Sequence, residues 1–349
     1  MNPLPRPPSH VAVGCARLRV FVACGLLLAF CSSRADAGGL PPTPRQESSA
    51  ERITTATGAR LRTAPQTSAD EVTKLALGVV VRELERSAAK ERIGAVEDFW
   101  YRVAAPGGAE GWVFGGLTAP FDARRRGETY LKLANDRLKL EEPTYADSAS
   151  LLGFVERVAP ELKTRAAVAE FELLRLLALH KALGAIPLEK LNESPYKELV
   201  KEREALAVYS DPAGQWFVRA DALWELEKKY RGLPVAERIA WEASRIPLPG
   251  ECEGYLPCTL SYTVSTEGQY LRLYPRGAHA GEALDGISSL LDAVLEDAKS
   301  NSPVYEVPAA DRASFRKEMG DLGIIITGTG HPKSAAVLQK LNQLAARFR

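Results

Sequence analysis

The chain has 349 residues, 45 of them basic and 44 acidic, for a formal net charge of +1 at pH 7. Such a balance gives no electrostatic footing for nucleic acid or an acidic lipid surface as partner. The length is sufficient for two domains.

Arg17 and Arg19 precede an apolar run from Val20 to Phe30, and Ala35-Asp36-Ala37 follows. A positive start, an apolar centre and a small-x-small site predict a secretory signal peptide over residues 1–37. The run falls short of the ~20 residues that a membrane span needs, so no span is expected after cleavage. Phe30 directly before Cys31 argues against lipoprotein processing. The protein is therefore expected outside the cytoplasm, periplasmic or extracellular. Residues 38–50, rich in Pro, Ser and Gly, read as a disordered leader. Cys15, Cys24 and Cys31 leave with the signal, and Cys252 and Cys258 remain as each other's only intramolecular partner. In an oxidising compartment this pair is expected to form a disulfide.

Residues 51–121 show period-two alternation with frequent turn signals. Expected strands are Ile53–Ala56, Val72–Leu75, Val79–Leu84, Trp100–Ala104, Glu110–Val113 and Leu117–Thr118. Gly58, Ala64-Pro65, Gly78, Pro106-Gly107-Gly108 and Gly115-Gly116 punctuate them, which predicts a small barrel or sandwich. The segments Ala59-Arg60-Leu61-Arg62-Thr63-Ala64-Pro65, Val72-Thr73-Lys74-Leu75 with Gly78, Trp100-Tyr101-Arg102-Val103, and Gly111-Trp112-Val113 with Leu117 resemble the bacterial SH3-like (SH3b) domain. One departure is the charged stretch Glu85 to Glu97, read as a loop longer than the minimal one. The resemblance implies a β-barrel of the kind found in envelope proteins, where many members bind cell-wall peptides or other extended peptides. Rings suit such binding because they cover apolar area at little entropic cost. Trp100, Tyr101 and Trp112 are the candidates, although Trp100 and Trp112 serve equally well as core in so small a barrel. Tyr101 alternates with Trp100 and is the expected ligand-facing member of that pair. Arg60 and Arg62 share a face and suit either a carboxylate or plain solvation.

Residues 122–127, with Arg124-Arg125-Arg126-Gly127, read as a linker, and 128–349 as an all-α domain. Ser148 is expected to cap a helix carrying Leu151, Leu152, Val155 and Val158. Thr164 should cap a longer one ending at Gly184, apolar almost all round, with His180 tucked into its core. Ser194-Pro195 opens a further helix through Tyr196, Leu199, Val200 and Leu206, ended by Asp211-Pro212. Over 215–298 two helix pairs look alike, around Tyr230 with Ala236 and Tyr274 with Ala280. They weakly resemble tetratricopeptide-type repeats, although their offset exceeds the roughly 34 residues of that repeat. Gly323 to Thr327 is expected to be a short extended segment capped by glycines, and Ala335 to Phe348 a last amphipathic helix. A phosphate-loop reading of this segment fails: Gly328 is followed by Thr329, and Lys333 follows a proline. No nucleotide, cofactor or metal site is expected.

The fold class is thus α+β multidomain, a small SH3-like β-barrel followed by an all-α, repeat-like domain. The expected function is non-catalytic binding of cell-wall peptide or a protein partner in the envelope. The alternative is a cell-wall cysteine peptidase with Cys252 as nucleophile and His279 as base, because Cys252, Gly254 and Tyr255 resemble the nucleophile segment of papain-like cell-wall peptidases. Against it, Cys252 lies among prolines and glycines instead of opening a helix, as the nucleophile of that family does.

Overall fold

Alternating apolar and polar residues build the first part of the chain in the computed structural model, which describes residues 50–348. The expected signal peptide and leader residues 38–49 lie outside the described residues. Seven strands form one antiparallel sheet: β1 (Glu51–Thr54), β2 (Ala59–Arg62), β3 (Glu71–Leu75), β4 (Val80–Ile93), β5 (Val96–Ala104), β6 (Glu110–Phe114) and β7 (Thr118–Phe121). Their order is β3-β2-β6-β5-β4-β1-β7, which leaves β3 and β7 at the edges. Every second residue turns inward, so Leu61, Leu75, Val81, Val103 and Val113 make the barrel core.

The charged stretch Glu85 to Glu97 is no loop. It continues β4 and β5 into a long hairpin arm that turns at Gly94, whose φ of +60° suits the tight two-residue connection. Arg92 stands opposite Glu97 at the tip and pairs with it at 3.1 Å. Cross-strand charge pairs of opposite sign hold a polar ribbon together without a core of its own.

Residues 122–127 are also structured. The Asp122 carboxylate accepts from the Arg124 amide and caps a 3-10 turn over Ala123–Arg125, and α1 (Arg126–Leu138) follows at once. Then come α2 (Tyr145–Val158) and α3 (Arg165–Gly184). Thr164 caps α3 by accepting from the Ala167 amide, and α3 is central, with Phe171, Leu173, Leu174, Leu176, Leu179 and Leu183 buried. Helix α2 starts earlier than Ser148 because Thr144 and Asp147 form a reciprocal capping box; Ser148 is buried inside the helix.

Barrel and helices share one core. Ile53 and Leu77 leave the barrel interior and pack with Tyr130, Leu151, Phe154 and Val155. Tyr130 stacks on Phe121 at 5.8 Å and meets Phe154 edge-on at 5.7 Å. Gly78, with φ +73°, sits under the Phe154 ring so closely that a Cβ there would lie 2.1 Å from Cδ2. Around this seam, Arg157 donates to the Leu77 carbonyl, and Arg137 donates to Asp147 at 2.6 Å and to Thr57.

The expected helix from Pro195 to Asp211 is shorter. After α4 (Tyr196–Glu202) the chain forms a hairpin of β8 (Ala207–Ser210) and β9 (Gln215–Val218). Ala207-Val208-Tyr209-Ser210 and Gln215-Trp216-Phe217-Val218 are β-rich runs on either side of Asp211-Pro212-Ala213-Gly214, a turn sequence. Two helix–turn–helix pairs then appear, α5 (Ala220–Tyr230) with α6 (Val235–Arg245), and α8 (Glu267–Leu273) with α9 (Ala280–Asp297). Between them α7 (Leu256–Ser265) accounts for the long offset. Gly323 to Thr327 is helical, not extended, and belongs to α10 (Arg312–Thr329). Phe315, Met319, Leu322 and Ile326 fall at steps of three and four, and this stripe, buried against α7 and α8, overrides the strand preference of three adjacent isoleucines. The last helix is α11 (Ser334–Arg347). Among the described residues no helix is long and apolar enough to cross a membrane.

Candidate functional site

The alternation of β5 holds, but its two rings are placed the other way round. Tyr101 points into the barrel core, 9% exposed, and the Arg52 guanidinium lies 3.6 Å above its ring. Arg52 is itself buried and donates to Thr118 at 2.8 Å. Tyr101 is therefore sequestered and is not a ligand-facing ring. Trp100 is on the outer face yet only 3% exposed, covered by Phe114 at 5.7 Å, with its indole N–H donated to Glu91 of the arm.

Trp112, Arg60 and Arg62 are brought together. Arg62 of β2, Trp112 of β6 and Arg102 of β5 are cross-strand neighbours on one outward face. Their guanidinium groups are committed within the barrel. Arg60 pairs with Glu71 at 3.2 Å, Arg62 donates to the Ala69 carbonyl at 2.6 Å, and Arg102 pairs with Glu110 at 3.1 Å. This face offers a half-exposed indole; its cations Arg60, Arg62 and Arg102 are paired, whereas Lys74, across from Arg60 on β3, has no ion-pair partner among the described residues.

A concave site lies elsewhere, at the seam of barrel and helices. A cleft of about 670 Å³ is bounded by β3, the β5–β6 turn, α1 and α2. Leu75, Val79, Phe121 and Val158 supply apolar wall, and Thr73 to Ala76 bring the edge strand β3 into the lining. An edge strand carries backbone donors and acceptors with no strand beyond them. Arg126 pairs with Glu161 at 3.0 Å, and the Tyr130 hydroxyl donates to the same carboxylate at 3.3 Å. Burial, reinforced by the Glu161 charge, raises the Tyr130 pKa and keeps that hydroxyl protonated. Lys74 stands exposed on the rim, with no ion-pair partner among the described residues. Sequence reasoning missed this cleft because it treated the barrel as a separate body behind a linker. The signal was Gly78, next to Leu77, an apolar residue that the barrel core does not use.

Cys252 and Cys258 are joined by a disulfide, with Cα atoms 5.5 Å apart. The bridge ties the turn before α7 to its first turn, beside a hydrogen-bonded crossing in which the Leu256 amide donates to the Glu306 carbonyl. We expect Cys252→Ser to cost about 2 kcal/mol, the chain-entropy value for so short a loop. Urea denaturation of wild type and variant, each with and without reductant, checks this: the two should coincide once reduced.

The His279 ring is engaged by other groups. It stacks on Trp241 at 4.5 Å, and Nδ1 is 2.8 Å from Glu282. No contact joins it to Cys252 among the described residues. His180, on α3, stacks on Phe217 at 5.9 Å; burial, with a smaller contribution from Lys181, lowers its pKa and keeps it neutral. Lys333, the lysine of the glycine-rich segment, is engaged by Asp285 of α9 at 2.5 Å.

Comparison with curated proteins finds no match for the chain. Residues 57–119 match the family model described as the bacterial SH3 domain, over the sheet whose geometry is given above. The chain thus carries a bacterial SH3 domain at 57–119, followed by a helical region that runs to its last helix.

Proposed function

We propose that the protein is a non-catalytic envelope protein whose SH3 domain receives an extended cell-wall peptide in the cleft against α1 and α2. The observation that carries this reading is the edge strand β3, which lines the cleft with an uncommitted lysine at its rim. An extended peptide adds to such an edge through main-chain hydrogen bonds, and side-chain recognition then sets its register. Lys74 supplies a positive point for a stem-peptide carboxylate. Binding of wall components is also typical of bacterial SH3 domains. The disulfide suits an oxidising compartment. It also engages the one sulfur that a cysteine-peptidase reading requires.

Retention on purified wall sacculi and titration with a soluble stem peptide test the proposal. Lys74→Glu should weaken peptide binding roughly 5-fold or more, about 1 kcal/mol. Equal binding by variant and wild type would remove the cleft from consideration. Thiol alkylation without reductant should leave both cysteines unlabelled; a labelled Cys252 together with release of wall peptides would favour the peptidase.

A further inference from the structure

The hairpin β8–β9 and helix α4, far along the chain from the SH3 domain, form a second concave site of about 540 Å³. Tyr209 and Trp216 stand directly opposite one another across the hairpin, so both rings project from the same face. Their centroids are 5.3 Å apart and their planes tilted by 57°, a half-buried aromatic corner with Leu191 and Val200 beside it. The other face of the hairpin is inward, where Phe217 is buried against His180.

Polar groups surround this corner, and they are uncommitted. Lys197 and Lys201 lie one turn apart on α4, on the same side. Neither they nor Asn192, Glu204, the Tyr209 hydroxyl or the Trp216 indole N–H has a hydrogen-bond or ion-pair partner among the described residues. By contrast, Arg60, Arg62, Arg126 and Lys333 each have a partner. An apolar platform ringed by a few convergent polar groups is the usual make-up of a small-ligand site.

We infer that this corner binds a carboxylate-bearing pyranose. The negative face of an aromatic ring attracts the weakly positive C–H bonds on one face of such a sugar. Its hydroxyls meet Asn192, Glu204 and Tyr209, and its carboxylate sits between Lys197 and Lys201, which outnumber the one acidic group of the lining. The site is on the face of a two-stranded hairpin and not along its edge, so it offers side chains and no ladder. That favours a sugar over an extended peptide. The inference rests on the envelope reading only for its choice of probe.

The test is calorimetric titration of the full mature chain with two glycans of equal length. One alternates N-acetylglucosamine with N-acetylmuramic acid and carries no peptide; the other is chitotetraose, which lacks the lactyl carboxylate. The acidic glycan should bind at least 10-fold tighter. Trp216→Ala should weaken both glycans by 10-fold or more. Lys197→Gln with Lys201→Gln alters exposed groups only, and should abolish the preference while leaving chitotetraose binding unchanged. Lys74→Glu should leave glycan binding intact, and the lysine double variant should leave stem-peptide binding intact, so each site stands or falls alone. Equal affinity for the two glycans, retention of the preference in the lysine variant, or displacement of glycan by an acidic peptide would each overturn the assignment.

Discussion

Gly78→Ala should destabilise the protein by about 3 kcal/mol or more, among the largest effects available to a single added methyl group. The new Cβ would meet Phe154 Cδ2 at 2.1 Å and Cε2 at 2.2 Å. The ring has nowhere to go, because Phe154 is fully buried among Leu77, Tyr130 and Leu151. A φ of +73° adds about 1–2 kcal/mol of backbone strain for any residue with a side chain. Denaturant titration followed by both tryptophan fluorescence and far-UV circular dichroism reads this directly. Adding Phe154→Leu to Gly78→Ala should recover part of the loss, since the clash and the cavity then offset each other. Strict additivity of the two losses would show that the seam is not the cause.

The second large effect is expected at Glu227, which is 1% exposed yet ionised. Arg231 grips it with two donors at 2.9 and 2.6 Å, and the Tyr274 hydroxyl donates at 2.8 Å. Desolvation pushes its carboxyl pKa up, but the hydrogen bonds from Arg231 and Tyr274 and the Arg231 charge outweigh it and hold the pKa below the ordinary value. Glu227→Ala should cost about 2–3 kcal/mol. That is below the 3–5 typical of a broken buried pair, because the Arg231 side chain is half exposed and finds water. With the folded pKa depressed, this stabilisation is complete above the unfolded carboxyl pKa and is lost as pH falls through the folded value. Wild type should therefore lose more stability than Glu227→Ala between pH 6 and pH 3, as read by thermal melts across that range. Tyr274→Phe, which keeps the Arg231 pair, should cost about 1.5–2 kcal/mol, because the lost bond goes to a buried charge.

Which parts of this fold the sequence made legible follows from how local their causes are. Turn residues and period-two alternation marked the barrel, and Thr164 with the leucines after it marked α3, because caps and periodicity are written within a few residues. Gly323 to Thr327 misled because its isoleucines favour strands; only the long stripe from Phe315 to Ile326, buried by other helices, decides for a helix. Alternation with Trp100 points Tyr101 outward, but it is Tyr101 that packs into the core, beneath Arg52 some fifty residues away in sequence. Trp100 is covered from nearer in the chain, by Phe114 opposite it on β6 and Glu91 of the arm. Neither the cleft nor the aromatic corner has a motif, since each is assembled from elements that meet only in the folded chain. The hairpin of Tyr209 and Trp216 could have been found, because β-rich runs around Asp211-Pro212-Ala213-Gly214 carry a hairpin signal that the preceding helical pattern obscured.

The core shared by Ile53, Leu77, Tyr130 and Phe154 also bears on how the protein would carry load. With no slack between barrel and helices, a pull on a peptide held in the cleft, as proposed, would pass straight into α1 and α2. A bead on a flexible string would absorb such a tug by extending its tether. Here the first thing to yield under tension would be the packed seam itself, so the grip on the wall and the integrity of the fold would fail together.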